Sequence, residues 1–248
     1  MQNQTLHNNG AGTFIVGTPN DITKPLVGLG IPAGTVIQSP TAFALHLLGC
    51  YTQTVQILPI IMMGQDPAQA RNQMAATFLE QNLEGRKVEA MLFVDCDMLF
   101  PPNTIDRLFA HDLDIVAADY RKRAHPFGKI GWPLEGLTDP PGGLVERVAL
   151  GLGVMMIRRR VFETVPKPWF ARIYSGETQA NAGVMTEDYY LCLKAREHGF
   201  KVWCDLDVTK ETMHIGEQPV PWVIPQLQEQ PPPTMAEVPE APKEQVAA

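Results

Sequence analysis

The sequence predicts an α/β protein with a mostly parallel central sheet flanked by helices. Short apolar runs, which are typical of buried strands, alternate with stretches in which apolar residues recur at helical spacing. The chain has 248 residues, of which 45% are hydrophobic, and this is enough to bury a sizeable core. In sheets of this kind ligands bind beyond the carboxyl ends of the strands, so polar residues at those ends are the candidates for function.

Strand and helix signals follow one another along the body of the chain. An apolar run at 26–31 predicts a strand that we expect Pro32 to end, and Asp66 is the expected N-cap of a helix over 67–81. The other elements that the pattern predicts are helices at 40–48, 103–110 and 187–197 and strands at 55–62, 90–94, 113–118, 148–157 and 201–204.

Composition divides the chain into three parts. Residues 1–24 are polar and form an N-terminal lead-in, and residues 25–216 contain all the predicted elements. Residues 217–248 hold much of the proline and few residues that could form a core. The sequence therefore predicts one domain followed by an extended or disordered proline-rich tail.

The overall charge and the cysteines argue against several functions. A formal net charge of −7 is unfavourable for sequence-independent binding of nucleic acid, which needs a basic surface. The N-terminus lacks the pattern of a secretory signal, and the most apolar stretch, 55–63, is too short to span a membrane, so we expect a cytoplasmic location. The four cysteines are scattered, without a C-x-x-C pair, and fit neither a zinc site nor a disulfide framework.

The acidic motif Asp95-Cys96-Asp97 directly follows the apolar strand predicted at 90–94. In an extended chain residues i and i+2 lie on the same side, so we expect both carboxylates to face one cation. Two hard oxygen ligands suit Mg²⁺ or Mn²⁺, with the phosphate groups of a ligand completing the coordination. The alternative interpretation of this motif is a solvated turn after a strand.

Further charged residues lie where predicted elements begin or end. Glu187 and Asp188 open a helix, and Asp188 heads its apolar stripe, so the helix N-terminus favours the ionised carboxylate whereas burial disfavours it. Arg71, in the first turns of its helix, suits a phosphate group, although a surface arginine is an equally good interpretation. The basic run Arg121-Lys122-Arg123 follows a strand at its carboxyl end and suits a diphosphate.

No other nucleotide-binding motif fits. The glycines of Gly28-Leu29-Gly30 and Gly34 resemble a dinucleotide-binding loop, but their spacing is wrong. No Asp or Glu occurs between Asp21 and Asp66 to bind the ribose of such a cofactor. The sequence also lacks a P-loop and a nucleophile elbow, and we therefore do not expect a nicotinamide cofactor.

Taken in order along the chain, these motifs resemble those of family-2-type glycosyltransferases of the GT-A fold, which is Rossmann-like. The resemblance covers residues 25–216 and is closest to small members from bacteria and their viruses, which implies a bacterial cell or a phage-infected host. The segments that carry it are Ala70-Arg71-Asn72, Leu92-Phe93-Val94-Asp95-Cys96-Asp97, the glycine-containing strand at 151–159, Thr186-Glu187-Asp188 and His214-Ile215-Gly216.

The resemblance implies a metal site and a donor site. A divalent cation, Mn²⁺ or Mg²⁺, would bridge the diphosphate of a nucleotide-sugar and be held by Asp95, Asp97 and His214. The donor, for which a UDP-sugar is favoured, is expected to lie against Pro32, Arg71, Asn72, Asp95 and Arg121. One departure concerns the base, because family members often carry an acidic residue shortly after the second strand, where this chain has the uncharged residues 61–65.

The resemblance also implies an acceptor side and a general base. Gly151 and Gly153 would line the acceptor side. Asp188, with Glu187 beside it, would take the proton from the acceptor hydroxyl. The expected function is transfer of a sugar from a nucleoside diphosphate sugar to a hydroxyl acceptor, with either inversion or retention at the anomeric carbon.

Two other functions compete with this one. A sugar-phosphate nucleotidyltransferase would usually carry a glycine-rich, basic loop after the first strand, but residues 30–39 contain no Lys or Arg. A non-catalytic nucleotide-sugar-binding or structural module would keep the fold without turnover, with the proline-rich tail as its docking segment for a partner.

Overall fold

The computed structural model describes residues 23–83, 85–175, 183–216 and 219–220. The predictions for the lead-in and for the proline-rich tail fall almost entirely outside these residues. The helices are α1 Ser39–Tyr51, α2 Pro67–Glu80, α3 Thr104–Ala110, α4 Arg159–Thr164, α5 Glu187–Glu197 and α6 Leu206–Glu211. The strands are β1 Leu26–Ala33, β2 Gln56–Met63, β3 Asn82–Leu83, β4 Arg86–Val94, β5 Met98–Leu99, β6 Ile115–Ala117, β7 Trp132–Pro133, β8 Leu144–Ala149, β9 Val154–Arg158, β10 Ile173–Ser175, β11 Gly183–Met185, β12 Val202–Asp205, β13 Met213–Ile215 and β14 Pro219–Val220.

The described residues form a large mixed sheet in the strand order β2-β1-β4-β9-β6-β12-β8-β7, with β3 added beside β4. β1 pairs in parallel with both β2 and β4, and β6 pairs in parallel with β12. β8 and β9 run against their neighbours. Most strands of the main path therefore point the same way, and their carboxyl ends share one edge. The predicted fold class is confirmed.

Local end signals placed two helices correctly. The side chain of Asp66 accepts hydrogen bonds from the backbone N–H groups of Ala68 and Gln69, as expected of the N-cap of α2. α5 ends just before Gly199, which takes a φ of 86°, the left-handed conformation that favours glycine at a helix end.

The prediction that Pro32 ends the first strand was wrong, because β1 continues to Ala33. Pairing with β4 stops at Gly30↔Phe93, whereas pairing with β2 goes on through Pro32↔Met62. Beyond Gly30, β4 no longer pairs with β1 on that side of the strand. A proline, which has no backbone N–H to donate, is therefore tolerated there.

The single strand predicted over 148–157 was also wrong. This segment forms β8 and β9 with a turn between them, and β6 and β12 lie between these two strands in the sheet. The chain therefore crosses part of the sheet at the glycines instead of passing through them as one strand.

The core lies on both faces of the sheet, and β4 contributes to each. Met91 and Phe93 pack on the face covered by α2, α4 and α5, while Leu92 and Val94 pack on the face of α1 and α3. Burial on both sides explains why β4 is a continuous apolar run and not an alternating one. None of the helices formed by the described residues is long and apolar enough to cross a membrane.

Candidate active site

The acidic motif lies at the carboxyl end of β4, but the two carboxylates diverge. The extended conformation ends at Val94, and the chain turns at Cys96 and Asp97, so the alternation that placed both carboxylates on one side does not apply. The Asp95 N–H donates to the carbonyl of Gly153 at 3.0 Å, which fixes the start of the turn. Asp95 and Asp97 then pair with different cationic groups.

Asp95 is paired with Arg71 of α2, which is itself buried. Arg71 is 3% exposed, and its Nη2 lies 2.5 Å from Oδ1 of Asp95 while its Nη1 donates to Oε1 of Glu187. Burial alone would lower the pKa of Arg71, but the two carboxylates raise it above its ordinary value. Burial raises the pKa of Asp95, although Arg71 opposes this. Arg71 thus binds the protein's own carboxylates and does not stand free at the surface, as one interpretation of the sequence had it.

Glu187 joins this pair to a second arginine. Its Oε2 accepts a hydrogen bond from Nε of Arg172 at 3.1 Å, and Nη1 of Arg172 lies 3.1 Å from Asp66. A chain of alternating charges therefore links the N-termini of α2 and α5. Both oxygens of Glu187 are held by arginines and the residue is 6% exposed, so Glu187 fixes the guanidinium of Arg71, and its expected part in catalysis stays a prediction.

Asp188 is held differently from its neighbour. Oδ1 accepts hydrogen bonds from the hydroxyl of Thr186 and from the N–H of Tyr189. Burial raises the pKa of Asp188 even though Thr186 and Arg71 act in the opposite direction. Burial, one of the two opposing effects that the sequence identified, is thus the largest influence on this pKa.

Asp97 lies against His214 from β13. Oδ2 of Asp97 is 2.6 Å from Nη1 of Arg123 and 3.3 Å from Nε2 of His214. Burial acts to raise the pKa of Asp97, but His214 and Arg123 together lower it below its ordinary value. Nδ1 of His214 is 3.0 Å from the carbonyl of Arg121, an acceptor that favours the tautomer with the proton on Nδ1.

This arrangement fits a divalent cation in part. A cation between Nε2 of His214 and Oδ2 of Asp97, which lie 3.3 Å apart, would replace the contact by which His214 lowers the pKa of Asp97. Asp95 is engaged by Arg71, and among the described residues no three His, Cys, Asp or Glu side chains form a group that could hold a metal ion. The protein side of such a site is therefore Asp97 with His214, and phosphate oxygens and water would supply the other ligands, as is common for Mg²⁺.

Tyr120 connects the two halves of the site and explains the glycines. Its ring lies 5.3 Å from that of His214, and its hydroxyl accepts a hydrogen bond from the N–H of Gly153 at 2.9 Å. A Cβ atom would lie 2.3 Å from the Tyr120 hydroxyl at Gly151 and 2.6 Å from its ring at Gly153. Close packing against Tyr120 therefore requires both glycines, which we expected on the acceptor side.

Three residues expected at the donor make contacts within the protein. Asn72 donates to the carbonyls of Ala68 and Phe170 and accepts from the backbone N–H groups of Trp169 and Phe170. Arg121 is buried, and its Nη1 donates to the carbonyl of Phe127. Pro32 is buried within β1. These contacts hold the walls of the site, and direct contact with a donor stays a prediction for all three.

Sequence reasoning missed Asp119, Tyr120 and Arg172 as site residues. The first two directly follow β6 at the carboxyl edge of the sheet, so the rule that selected the basic run 121–123 applied to them as well. Arg172 gave no comparable signal, because its partners Asp66 and Glu187 are distant in sequence.

Comparison with known proteins supports the fold and leaves the activity open. Neither a protein-family model nor a curated protein matches the chain. The solved structure of A197 from STIV is similar, with 17% identity over 76% of this chain and 85% of that one and a TM-score of 0.52, which shows a common fold. The inositol-1-phosphate CTP transferase from T. maritima matches with 15% identity, 73% and 70% coverage and a TM-score of 0.36, which is too low to support an inference.

Proposed function

We propose that this chain is a glycosyltransferase that, with Mn²⁺ or Mg²⁺, transfers a sugar from a nucleoside diphosphate sugar to a hydroxyl acceptor. One observation carries the proposal: two carboxylates at this edge of the sheet have different neighbours, since Asp97 lies against His214 and Arg123 whereas Asp188 accepts from Thr186 and from the N–H of Tyr189. The pKa of Asp97 is lowered and that of Asp188 is raised. Such a separation is typical of acids with different catalytic roles.

The lowered pKa suits Asp97 to an electrostatic role. It stays ionised beside His214, and this pair is the proposed anchor for the cation. When bound, a divalent cation neutralises charge that develops on the departing nucleoside diphosphate. Asp97 would remain ionised throughout, and His214 would keep its Nδ1 proton on the carbonyl of Arg121.

The raised pKa suits Asp188 to proton transfer. A carboxylate with a raised pKa is a better general base than an ordinary one. The hydrogen bonds from Thr186 and Tyr189 both end on Oδ1, so we assign the proton of the acceptor hydroxyl to Oδ2. Arg71, fixed by Glu187, keeps a positive charge near Asp188 and Asp95 during this step.

Basic residues beside Asp97 support an anionic donor. Arg121, Lys122 and Arg123 follow β6, and Arg123 is in contact with Asp97. Local cations of this kind allow a protein of net charge −7 to bind a diphosphate.

The nucleotidyltransferase alternative differs in its products. It would form a nucleoside diphosphate sugar and pyrophosphate from a nucleoside triphosphate and a sugar phosphate, whereas the proposed reaction releases a nucleoside diphosphate. The segment between β1 and α1, residues 34–38, has no basic residue for a triphosphate, and this favours the glycosyltransferase. Product analysis with either substrate set separates the two.

The first test is calorimetric titration of UDP with and without Mn²⁺. We expect binding that requires the metal and that is lost in Asp97→Asn, because the substitution removes the negative charge of the anchor. The matched control is Asp112→Asn, since the Asp112 side chain is 91% exposed and precedes β6 at the opposite edge of the sheet. Asn also tolerates the φ of 50° at this position.

The control should bind UDP with wild-type affinity. Equal affinity of the wild type with and without Mn²⁺ would contradict the metal's role. Failure of UDP, GDP, CDP and ADP to bind in the presence of Mn²⁺ would contradict a nucleotide-sugar function altogether.

A further inference from the structure

The segment between β6 and β7 begins with a short antiparallel, hairpin-like loop. The N–H of Ile130 donates to the carbonyl of Tyr120 at 3.0 Å, and the N–H of Lys122 donates to the carbonyl of Gly128 at 2.9 Å. The backbones of Arg121 and Lys129 pair in an antiparallel β-bridge between the two sides of this loop. We name residues 120–130 the basic arm, because it contains Arg121, Lys122, Arg123 and Lys129.

The basic arm contacts the Asp97–His214 pair at three points. The guanidinium of Arg123 binds Asp97, the carbonyl of Arg121 faces Nδ1 of His214, and the ring of Tyr120 packs against the imidazole. The arm therefore sets both the orientation of the imidazole and the charge beside the carboxylate. Any shift of the arm would move these contacts together.

One buried carboxylate closes the base of the arm. Oδ1 of Asp119 accepts hydrogen bonds from the N–H of Tyr120 at 2.7 Å and from the N–H of Gly131 at 2.8 Å. Tyr120 begins the basic arm, and Gly131 directly follows it. Asp119 is 1% exposed, and its own N–H donates to the hydroxyl of Thr209 in α6. The backbone of Asp119 is thus fixed to α6, and its carboxylate binds both ends of the arm.

The residue at position 131 must be glycine for this contact to form. A Cβ atom there would lie 2.3 Å from Oδ2 of Asp119 and 2.8 Å from Leu150. Gly128, within the same arm, has open space where a Cβ would lie. The two glycines therefore differ in whether a methyl group would displace the carboxylate.

We propose that Asp119 is a positioning residue that holds the basic arm on the Asp97–His214 pair and thereby sets the affinity for a nucleoside diphosphate. It contacts neither Asp97 nor His214 and acts only through the arm. The part of this inference that concerns nucleotide rests on the proposed function, whereas the part that concerns His214 does not.

The test compares Gly131→Ala with Gly128→Ala. We expect the first to weaken Mn²⁺-dependent binding of UDP about tenfold, which corresponds to loss of one buried hydrogen-bonded contact, and the second to leave it unchanged. A second pair covers the case in which Gly131→Ala fails to fold. Asp119→Ala should weaken binding about tenfold, and Asp119→Asn, which keeps an acceptor oxygen for both N–H groups, should stay within about twofold of the wild type.

A readout without nucleotide separates this inference from the proposed function. In ¹⁵N-labelled protein, the Nδ1–H signal of His214 should be retained in Asp119→Asn and Gly128→Ala and lost or shifted in Asp119→Ala. If UDP does not bind to the wild type but the His214 signal follows this pattern, the proposed function fails and the positioning role stands. An unchanged His214 signal in Asp119→Ala would overturn the positioning role of Asp119. If the wild type binds UDP, an unchanged UDP affinity in Asp119→Ala would overturn it as well.

Discussion

At the scale of single residues, four aspartates near the carboxyl edge of the sheet differ in pKa because their neighbours differ. Contacts with His214 and Arg123 lower the pKa of Asp97, whereas burial raises the pKa of Asp95 and Asp188. Burial raises the pKa of Asp119 to about 6, although two backbone N–H groups and Arg147 oppose it. The sequence shows four identical side chains, and only their surroundings assign them different roles.

Asp119 should make stability depend on pH. Because its pKa rises from 3.8 to about 6 on folding, its contribution to the free energy of unfolding is present below the unfolded pKa and is lost as pH rises through about 6. The difference in this free energy between the wild type and Asp119→Asn should therefore fall by about 3 kcal/mol between roughly pH 3.5 and pH 7.5. Urea unfolding at several pH values measures it.

Asp207→Asn provides a control of opposite sign. Lys210 and the N–H of Gly143 lower the pKa of Asp207, so its contribution to stability is present at neutral pH and is lost as pH falls. The wild-type-minus-variant difference should then rise with pH. A flat profile for Asp119→Asn would contradict the assignment of a raised pKa to Asp119.

Contacts between residues that are distant in sequence could not be predicted. The ion pair between Arg71 and Glu187 is an example, because the two residues are 116 positions apart and no local pattern indicates such a pair. By contrast, the capping role of Asp66 depends only on the next few residues, and it was predicted correctly.

At the scale of elements, the turn between β8 and β9 shows how one side chain shapes a segment. The ring of Tyr120 occupies the space where side chains at 151 and 153 would lie, and the carbonyl of Gly153 anchors the N–H of Asp95. Both glycines are visible in the sequence, but the packing of the Tyr120 ring against them is not. For this reason the periodicity suggested one interrupted strand where the structure has two.

Gly153→Ala should destabilise the protein. Its new methyl group would meet the ring of Tyr120 at 2.6 Å, and overpacking of this kind costs about 1–3 kcal/mol. Gly49→Ala is the matched control, because Gly49 is exposed in α1 with open space around it and Ala is favoured over Gly in a helix by up to about 1 kcal/mol. Chemical denaturation should show opposite signs for the two variants, and equal stabilities would contradict the packing argument.

At the scale of the whole molecule, the alternation of strands and helices predicted the fold class, and the topological rule for α/β sheets predicted that Asp95 and Asp97 lie at the carboxyl edge of the sheet. The reversed directions of β8 and β9 could not be predicted, because an apolar run buried on both faces looks the same in either direction. The divergence of Asp95 and Asp97 was missed because it depends on a turn that replaced the expected extended chain. The edge carries the basic arm and two acids whose pKa values are shifted in opposite directions.

The most direct test of this account is the effect of Asp188→Asn on transfer and on binding in the same preparation. UDP release from UDP-glucose and UDP-galactose is measured with Mn²⁺ and a panel of hydroxyl acceptors, and UDP affinity is measured by calorimetry. We predict that Asp188→Asn keeps UDP affinity within about twofold of the wild type but slows acceptor-dependent release about 100-fold or more, as expected for loss of a general base. Acceptor-dependent release at the wild-type rate in Asp188→Asn would contradict the assignment of Asp188 as the base and, with it, the division of roles between Asp97 and Asp188.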